Sequence, residues 1–266
     1  MYDSFNRKIS YLRISVTDRC NLRCRYCMPP QGIKTLNHKE ILSYEEITSV
    51  VKTLVSFGIN KIRLTGGEPL VRKGIENLVG MISALPGISE ITLTTNGVLL
   101  NDLAPSLAIN GLSRVNISLD TINPERYRQI TRGGDISHVI RGIDAALKAG
   151  IEPVKINCVK NPGTTERELH DLQEFCRERN LELQYIRQMD LASGKFWPVE
   201  GGNGGNCGIC NRIRLTANGN FIPCLFSEKE FNIRELGIVR AFHEVVESKP
   251  IRGKVNTKNR FYNIGG

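Results

Sequence analysis

Residues 18–30 read DRCNLRCRYCMPP and place three thiols, Cys20, Cys24 and Cys27, in eight positions. A second set of three, Cys207, Cys210 and Cys224, lies near the end of the chain. Each set is one ligand short of the four that close a tetrahedral zinc site. Three thiolates from one loop can instead hold three irons of a [4Fe–4S] cluster and leave the fourth iron open to another ligand. The competing readings are a zinc ion completed from elsewhere, with His243 available to the second set, or a disulfide with a spare thiol.

Composition narrows the setting. The chain has 266 residues and eight cysteines, opens MYDSFNRKIS without an apolar leader, and contains no apolar run long enough to span a membrane. A cytoplasmic protein with no membrane partner is expected, in which cysteines serve as ligands rather than disulfides. The net charge of +9 fits an anionic partner, either a nucleic acid or a phosphorylated small molecule, or only a solubilising surface, and does not choose among them. Aromatics make up only 6% and no long basic run occurs, so nucleic acid is not an expected partner.

These sets need elements to position them. Short β-branched runs at 12–16, 61–65, 90–95, 114–120, 153–159 and 181–189 alternate with amphipathic stretches. Ser43 with Glu46, and Thr165 with Glu168, have the spacing of capping boxes that open helices. In the second of these helices Leu169, Leu172, Phe175 and Cys176 share a face, so Cys176 reads as core, as does Cys158 in the fifth strand. Six strands with helical crossovers predict an α/β fold, an open partial (β/α)6 barrel of TIM type, with its site at the carboxyl ends of the strands. The first cysteine loop follows strand one and GGEP (66–69) follows strand two, so both fall on that face. After Met189 the rhythm stops in a Gly- and Asn-rich stretch, followed by a hairpin around ANGN (217–220). The expected division is a barrel over 1–190 and a cluster-binding region and tail over 191–266, packed over the open side of the barrel.

The spacing Cys20-x3-Cys24-x2-Cys27, with Tyr26 before the last cysteine, resembles the radical S-adenosylmethionine (SAM) superfamily. The resemblance implies that SAM chelates the open iron through its amino and carboxylate groups, and that electron transfer cleaves it to a 5′-deoxyadenosyl radical. It places the SAM amino group at GGEP and assigns SAM contacts to Tyr26, Gly67, Ser118 and Met189.

CNRIRL, the x13 spacing to PCLF, KIRLTGGEPLVR and the terminal Gly265-Gly266 together resemble one family within it, the GTP 3′,8-cyclases of molybdenum-cofactor biosynthesis. That resemblance implies a second [4Fe–4S] cluster on Cys207, Cys210 and Cys224, whose open iron binds guanine. The radical then takes the ribose C3′ hydrogen of GTP, and C3′ attacks C8. Arg13, Arg63, Thr94, Lys155, Arg212 and Arg214 are the implied GTP contacts, with Lys61 weaker and Arg212 and Arg214 closest to the chemistry. An electron donor is required and a homodimer is compatible. The glycine tail is expected to enter the active site.

Two departures from the family pattern stand out. The stretch between the last barrel strand and the second cysteine set is shorter, and strand six carries Gln184 and Arg187 where the family has an arginine and a glutamate. If Arg187 shares a face with Met189, it points inward and replaces the lost arginine. The competing functions are a related radical SAM enzyme acting on a peptide or another nucleotide, and an iron–sulfur nucleic-acid-binding or sensor protein.

Overall fold

The computed structural model describes residues 1–264. The first part of the chain alternates strand and helix: β1 (Tyr11–Ser15), α1 (Tyr44–Val55), β2 (Lys61–Thr65), α2 (Ile75–Ser83), β3 (Glu90–Thr95), α3 (Leu100–Ile109) and β4 (Arg114–Ser118). It continues with α4 (Pro124–Thr131), α5 (Ile136–Lys148), β5 (Val154–Lys160), α6 (Glu166–Glu178) and β6 (Glu182–Arg187). Both expected capping boxes form, each with its reciprocal side-chain and backbone bonds. Caps of this kind stabilise a helix start by about 1 kcal/mol.

The six strands are parallel in the order β6-β5-β4-β3-β2-β1. Side chains alternate across each strand, so register decides what each face carries. Leu12, Ile14, Ile62, Leu64, Ile91, Leu93, Val115, Ile117, Ile156 and Cys158 are buried in the main core, as is Cys176 of α6. The other face is polar, as a barrel that admits a charged ligand requires. There Arg13 stands beside Arg63, Arg63 beside Thr92, and Thr92 beside Arg114.

The remaining elements are β7 (Arg212–Leu215), β8 (Asn220–Ile222), β9 (Phe231–Asn232), α7 (Ile233–Leu236), α8 (Ile238–Glu247) and α9 (Phe261–Ile264). β7 joins β1 in parallel, with Arg214 beside Arg13 and Arg212 beside Tyr11. β7 and β8 form the hairpin expected around ANGN. The sheet therefore has nine strands among the described residues, extended at its β1 edge into the open side. Ile213, Leu215, Phe221 and Phe242 join the main core, while Leu191, Ile222, Phe226 and Ile264 form a small second one.

The glycine-rich stretch spans the gap between β6 and β7. Tyr185 and Glu200 exchange backbone bonds of 3.0 Å, and Arg212 Nη2 donates to Asn203 O at 3.0 Å. β6 stops at Arg187, two residues earlier than expected, and this reverses the reading of Arg187. Gln184 shares the inner face with its partner Asn157, whereas Arg187 is exposed on the face of Tyr185, its guanidinium 4.2 Å from the Trp197 ring centre. Met189 lies past the strand end, so alternation does not link it to Arg187.

Candidate active site

The first cysteine set sits on the loop after β1, where the carboxyl ends of four strands meet. Gly67 N–H donates to Thr17 O at 2.7 Å and Glu68 N–H to Arg19 O at 2.8 Å, which lays the GGEP segment directly on the cysteine loop. A Cβ at Gly67 would stand 2.4 Å from Arg19 O and 2.8 Å from Asp18 O. The glycine thus admits the chain's own backbone, which is how strand two fixes the loop of strand one.

Glu68 is buried and accepts from Leu70 N–H (3.0 Å), Thr95 Oγ1 (2.7 Å) and Asn96 N–H (2.6 Å), linking the ends of β2 and β3. Burial outweighs these bonds and pushes its carboxyl up to about 7. Asn96 Nδ2 reaches Asn21 Oδ1 at 2.7 Å and Cys20 Sγ at 4.0 Å, and Leu22 N–H donates to the same sulfur at 3.4 Å. Two residues past the end of β4, Asp120 accepts the Tyr26 hydroxyl and Val159 N–H, the latter at 2.8 Å; burial pushes its carboxyl up to about 6. Ser118 ends β4 on the inner face, beside Asn157.

The helix that follows β4 holds the loop from below. Arg23 and Arg25 N–H groups donate to Thr131 and Ile130 carbonyls at 3.2 and 3.0 Å, and Arg132 Nη1 donates to Arg23 O and Met28 O at 2.7 Å each. Burial raises all three thiols, Cys27 to about 12, with mutual repulsion of the cysteines adding at Cys24 and Cys27. Ligation by metal must therefore displace protons here.

The second set lies at β7 and β8. Cys207, Cys210 and Cys224 are half-buried, and all eight cysteines of the chain are unpaired. Burial alone would raise Cys210, but Lys249 and Arg212 beside it prevail and hold it down at about 7, whereas burial pushes Cys224 up. Arg7 Nη1 donates to Cys207 O at 2.7 Å while its Nε pairs with Asp3 at 2.7 Å. Among the described residues no three His, Cys, Asp or Glu side chains converge on a single-ion site. His243 packs edge-on against Phe57, its ring centre 5.3 Å away. Three thiols in each set match the number a protein gives to a four-iron cluster that keeps one iron open.

The basic residues gather on the inner face of β2, β1 and β7. Arg13, Arg63 and Arg214 are neighbours in register, and Arg212 lies one step along β7 beside Tyr11. Burial and the neighbouring guanidiniums lower Arg13 and Arg214, the latter to about 10. Such crowding favours an anion between them. Arg63 Nε donates to Thr92 Oγ1 at 3.1 Å. Lys155 is already ion-paired with Glu182, and Glu90 holds both Lys61 (3.3 Å) and Arg114 (2.7 Å). Thr94 Oγ1 and Asn116 Oδ1, side by side on β3 and β4, are buried without a hydrogen-bond partner among the described residues. That pair suits a polar ligand in the barrel.

At the chain's end Ile264, 1% exposed, packs with Leu191, Ile222 and Phe226, and Arg214 Nη1 donates to Ile264 O at 3.3 Å. Met189 packs against the same group. Gly265 and Gly266 lie outside the described residues.

The family model described as the radical SAM superfamily matches residues 14–176. A GTP 3′,8-cyclase of Moorella thermoacetica is 42% identical over 94% of this chain and 94% of its own length. One of Alkaliphilus oremlandii is 41% identical over 93% and 90%, respectively. The chain belongs to the radical SAM superfamily and, within it, to the GTP 3′,8-cyclase family. With a relative from Clostridium botulinum, 37% identical, the alignment covers both chains fully over 319 positions against 266 residues here, so that relative carries insertions absent from this chain. Among solved structures, Streptococcus suis SuiB bound to S-adenosylmethionine superposes with a TM-score of 0.70 at 15% identity, covering 96% of this chain and 68% of that one. The anSMEcpe structure with bound AdoMet gives 0.68 at 18% identity, covering 90% and 80%. At such identities these two establish the shared fold.

Several residues of the site were not legible in the sequence. Asp120 follows Ser118 by two positions, and its place at a strand's carboxyl end was the available signal. Tyr11, whose ring lies 5.8 and 5.7 Å from the guanidiniums of Arg13 and Arg63, had only its position opening β1. Lys249 and Arg7 carry no local motif at all.

Proposed function

We propose that this protein cleaves SAM reductively and uses the resulting radical to convert GTP into its 3′,8-cyclised isomer. The observation that carries the reading is the set of in-register arginines, Arg13, Arg63, Arg212 and Arg214, lining the inner face beside the second cysteine set. GTP is polyanionic, and arginine offers it bidentate, charge-assisted hydrogen bonds.

Cys20, Cys24 and Cys27 would hold the cluster that carries SAM, which supplies the adenosyl radical when both are bound. Tyr26, Gly67, Ser118 and Met189 line the SAM side in this reading. Cys207, Cys210 and Cys224 would hold a second four-iron cluster facing the guanine. Thr94 offers its unpartnered hydroxyl to the substrate, and Lys155 contacts it after exchanging Glu182. Arg212 and Arg214 orient the base and phosphates so that C3′ and C8 come together. The division at residue 190 then separates a SAM-cleaving part from a substrate-cluster part.

An electron donor and a reducing, cytoplasmic setting complete the reading, in keeping with eight unpaired cysteines. No helix among the described residues is long and apolar enough to cross a membrane. The test is an anaerobic reaction of the reconstituted protein with reductant and SAM, offered GTP, ATP or a cysteine-containing peptide in parallel, analysed by mass spectrometry. 5′-Deoxyadenosine accompanied by a GTP isomer supports the reading. Turnover of the peptide and not of GTP refutes it.

A further inference from the structure

Lys249 follows α8 and is 3% exposed. Its ammonium donates to Arg212 O at 2.7 Å, Pro223 O at 3.0 Å and Cys210 Sγ at 3.5 Å, which uses all three of its protons. Arg212 lies two residues after Cys210, and Pro223 immediately precedes Cys224. One side chain therefore ties together the two arms of the second cysteine set, which lie just before β7 and just after β8 at the open end of the hairpin.

The charge of Lys249 also lacks a carboxylate counterpart: among the described residues none lies within ion-pair distance. Arg7, which pins Cys207 from the other side, has Asp3 for that purpose. A buried ammonium with only carbonyl dipoles and a sulfur around it is costly unless an anion is near. Thiolates bound to metal at this set would supply that anion.

We propose that Lys249 is a positioning residue of the second cysteine set, holding Cys210 and Cys224 in one site and using its charge to stabilise the reduced state of the cluster bound there. This rests on the reading that the set binds a four-iron cluster. Hydrogen bonds to cluster sulfurs and local charge are among the protein's means of setting a reduction potential.

The test uses the full chain with Cys20, Cys24 and Cys27 changed to Ala, so that only the second set reports. With Lys249 intact this protein must take up iron and sulfide in equal amounts and give a paramagnetic reduced cluster; failure to do so overturns the cluster reading itself and the inference with it. Lys249→Met is expected to lose iron to a chelator about tenfold faster or more, by analogy with other outer-shell ligand partners. Its reduction equilibrium constant should fall about tenfold, a shift of about 59 mV to more negative potential for one electron. Lys249→Arg, which keeps the charge and donors, should recover most of that shift. Unchanged retention and potential in a folded Lys249→Met protein overturn the proposal. Should that variant not fold, pulsed electron paramagnetic resonance of the Lys249-intact protein labelled with 15N-lysine decides. A nitrogen coupling to the reduced cluster supports the contact, and its absence overturns it.

Discussion

Replacing Gly67 by Ala tests how the second strand positions the first cysteine loop. The new methyl would meet Arg19 O at 2.4 Å and Asp18 O at 2.8 Å, both backbone atoms that cannot rotate away. Overpacking of that kind costs about 1–3 kcal/mol. The two bonds from Gly67 and Glu68 N–H groups to Thr17 and Arg19 carbonyls, at 2.7 and 2.8 Å, are placed at risk with it. Each contributes about 1 kcal/mol net, so about 3–5 kcal/mol is at stake. The chain can relieve the clash by moving residues 17–19 away, and Cys20 moves with them. Denaturant unfolding should therefore show a loss of a few kcal/mol or, where the loop has shifted, less. In that second case the iron bound by the first set falls sharply while the second set keeps its own. The assay is iron content in Cys207, Cys210 and Cys224→Ala and in Cys20, Cys24 and Cys27→Ala backgrounds, alongside the unfolding curves. A Gly67→Ala protein with unaltered stability and full iron in the first set refutes the packing argument.

Other outcomes follow from the same geometry. Burial raises Glu68 from its ordinary 4.5 to about 7, so the native state holds this proton more tightly than the unfolded chain does. Stability should accordingly fall by about 3 kcal/mol as pH rises from about 4 to 8, and Glu68→Gln should remove that slope in urea titrations. Arg63→Gln should raise the GTP dissociation constant about tenfold or more with iron content unchanged, as expected for losing a charge-assisted contact of about 1.5–3 kcal/mol, read by calorimetry. Arg187→Ala should leave GTP affinity unaltered and cost about 0.5–1 kcal/mol of stability, since the side chain is exposed and stacks on Trp197.

What could be read ahead of the structure was what local pattern encodes. The strand and helix rhythm, both capping boxes, the core places of Cys158 and Cys176, and the hairpin at 217–220 follow from periodicity and turn residues, and the structure has them all. Arg187 was misassigned because alternation holds only within a strand, and β6 ends before Met189. The pairing of β7 with β1 joins residues at opposite ends of the chain. Nothing in the four residues RIRL specifies that partner. Lys249 is illegible for a similar reason: its significance comes from three acceptors contributed by β7, the residue after β8 and the turn before β7, none adjacent to it in sequence. The basic inner face was partly legible, since arginines in strand centres invite a buried anion. That Lys155, Lys61 and Arg114 already have carboxylate partners was not.

The central claim is that one cysteine set drives SAM cleavage and the other serves GTP, across the arginine-lined face between them. GTP deuterated at C3′ tests it most directly, with wild-type, Cys24→Ala and Cys224→Ala proteins compared under reducing anaerobic conditions. The account predicts deuterium in the 5′-deoxyadenosine and a cyclised product from wild type, neither from Cys24→Ala, and unlabelled 5′-deoxyadenosine without product from Cys224→Ala. Cyclised product from Cys224→Ala, or wild-type 5′-deoxyadenosine formed from that GTP without deuterium, would contradict it.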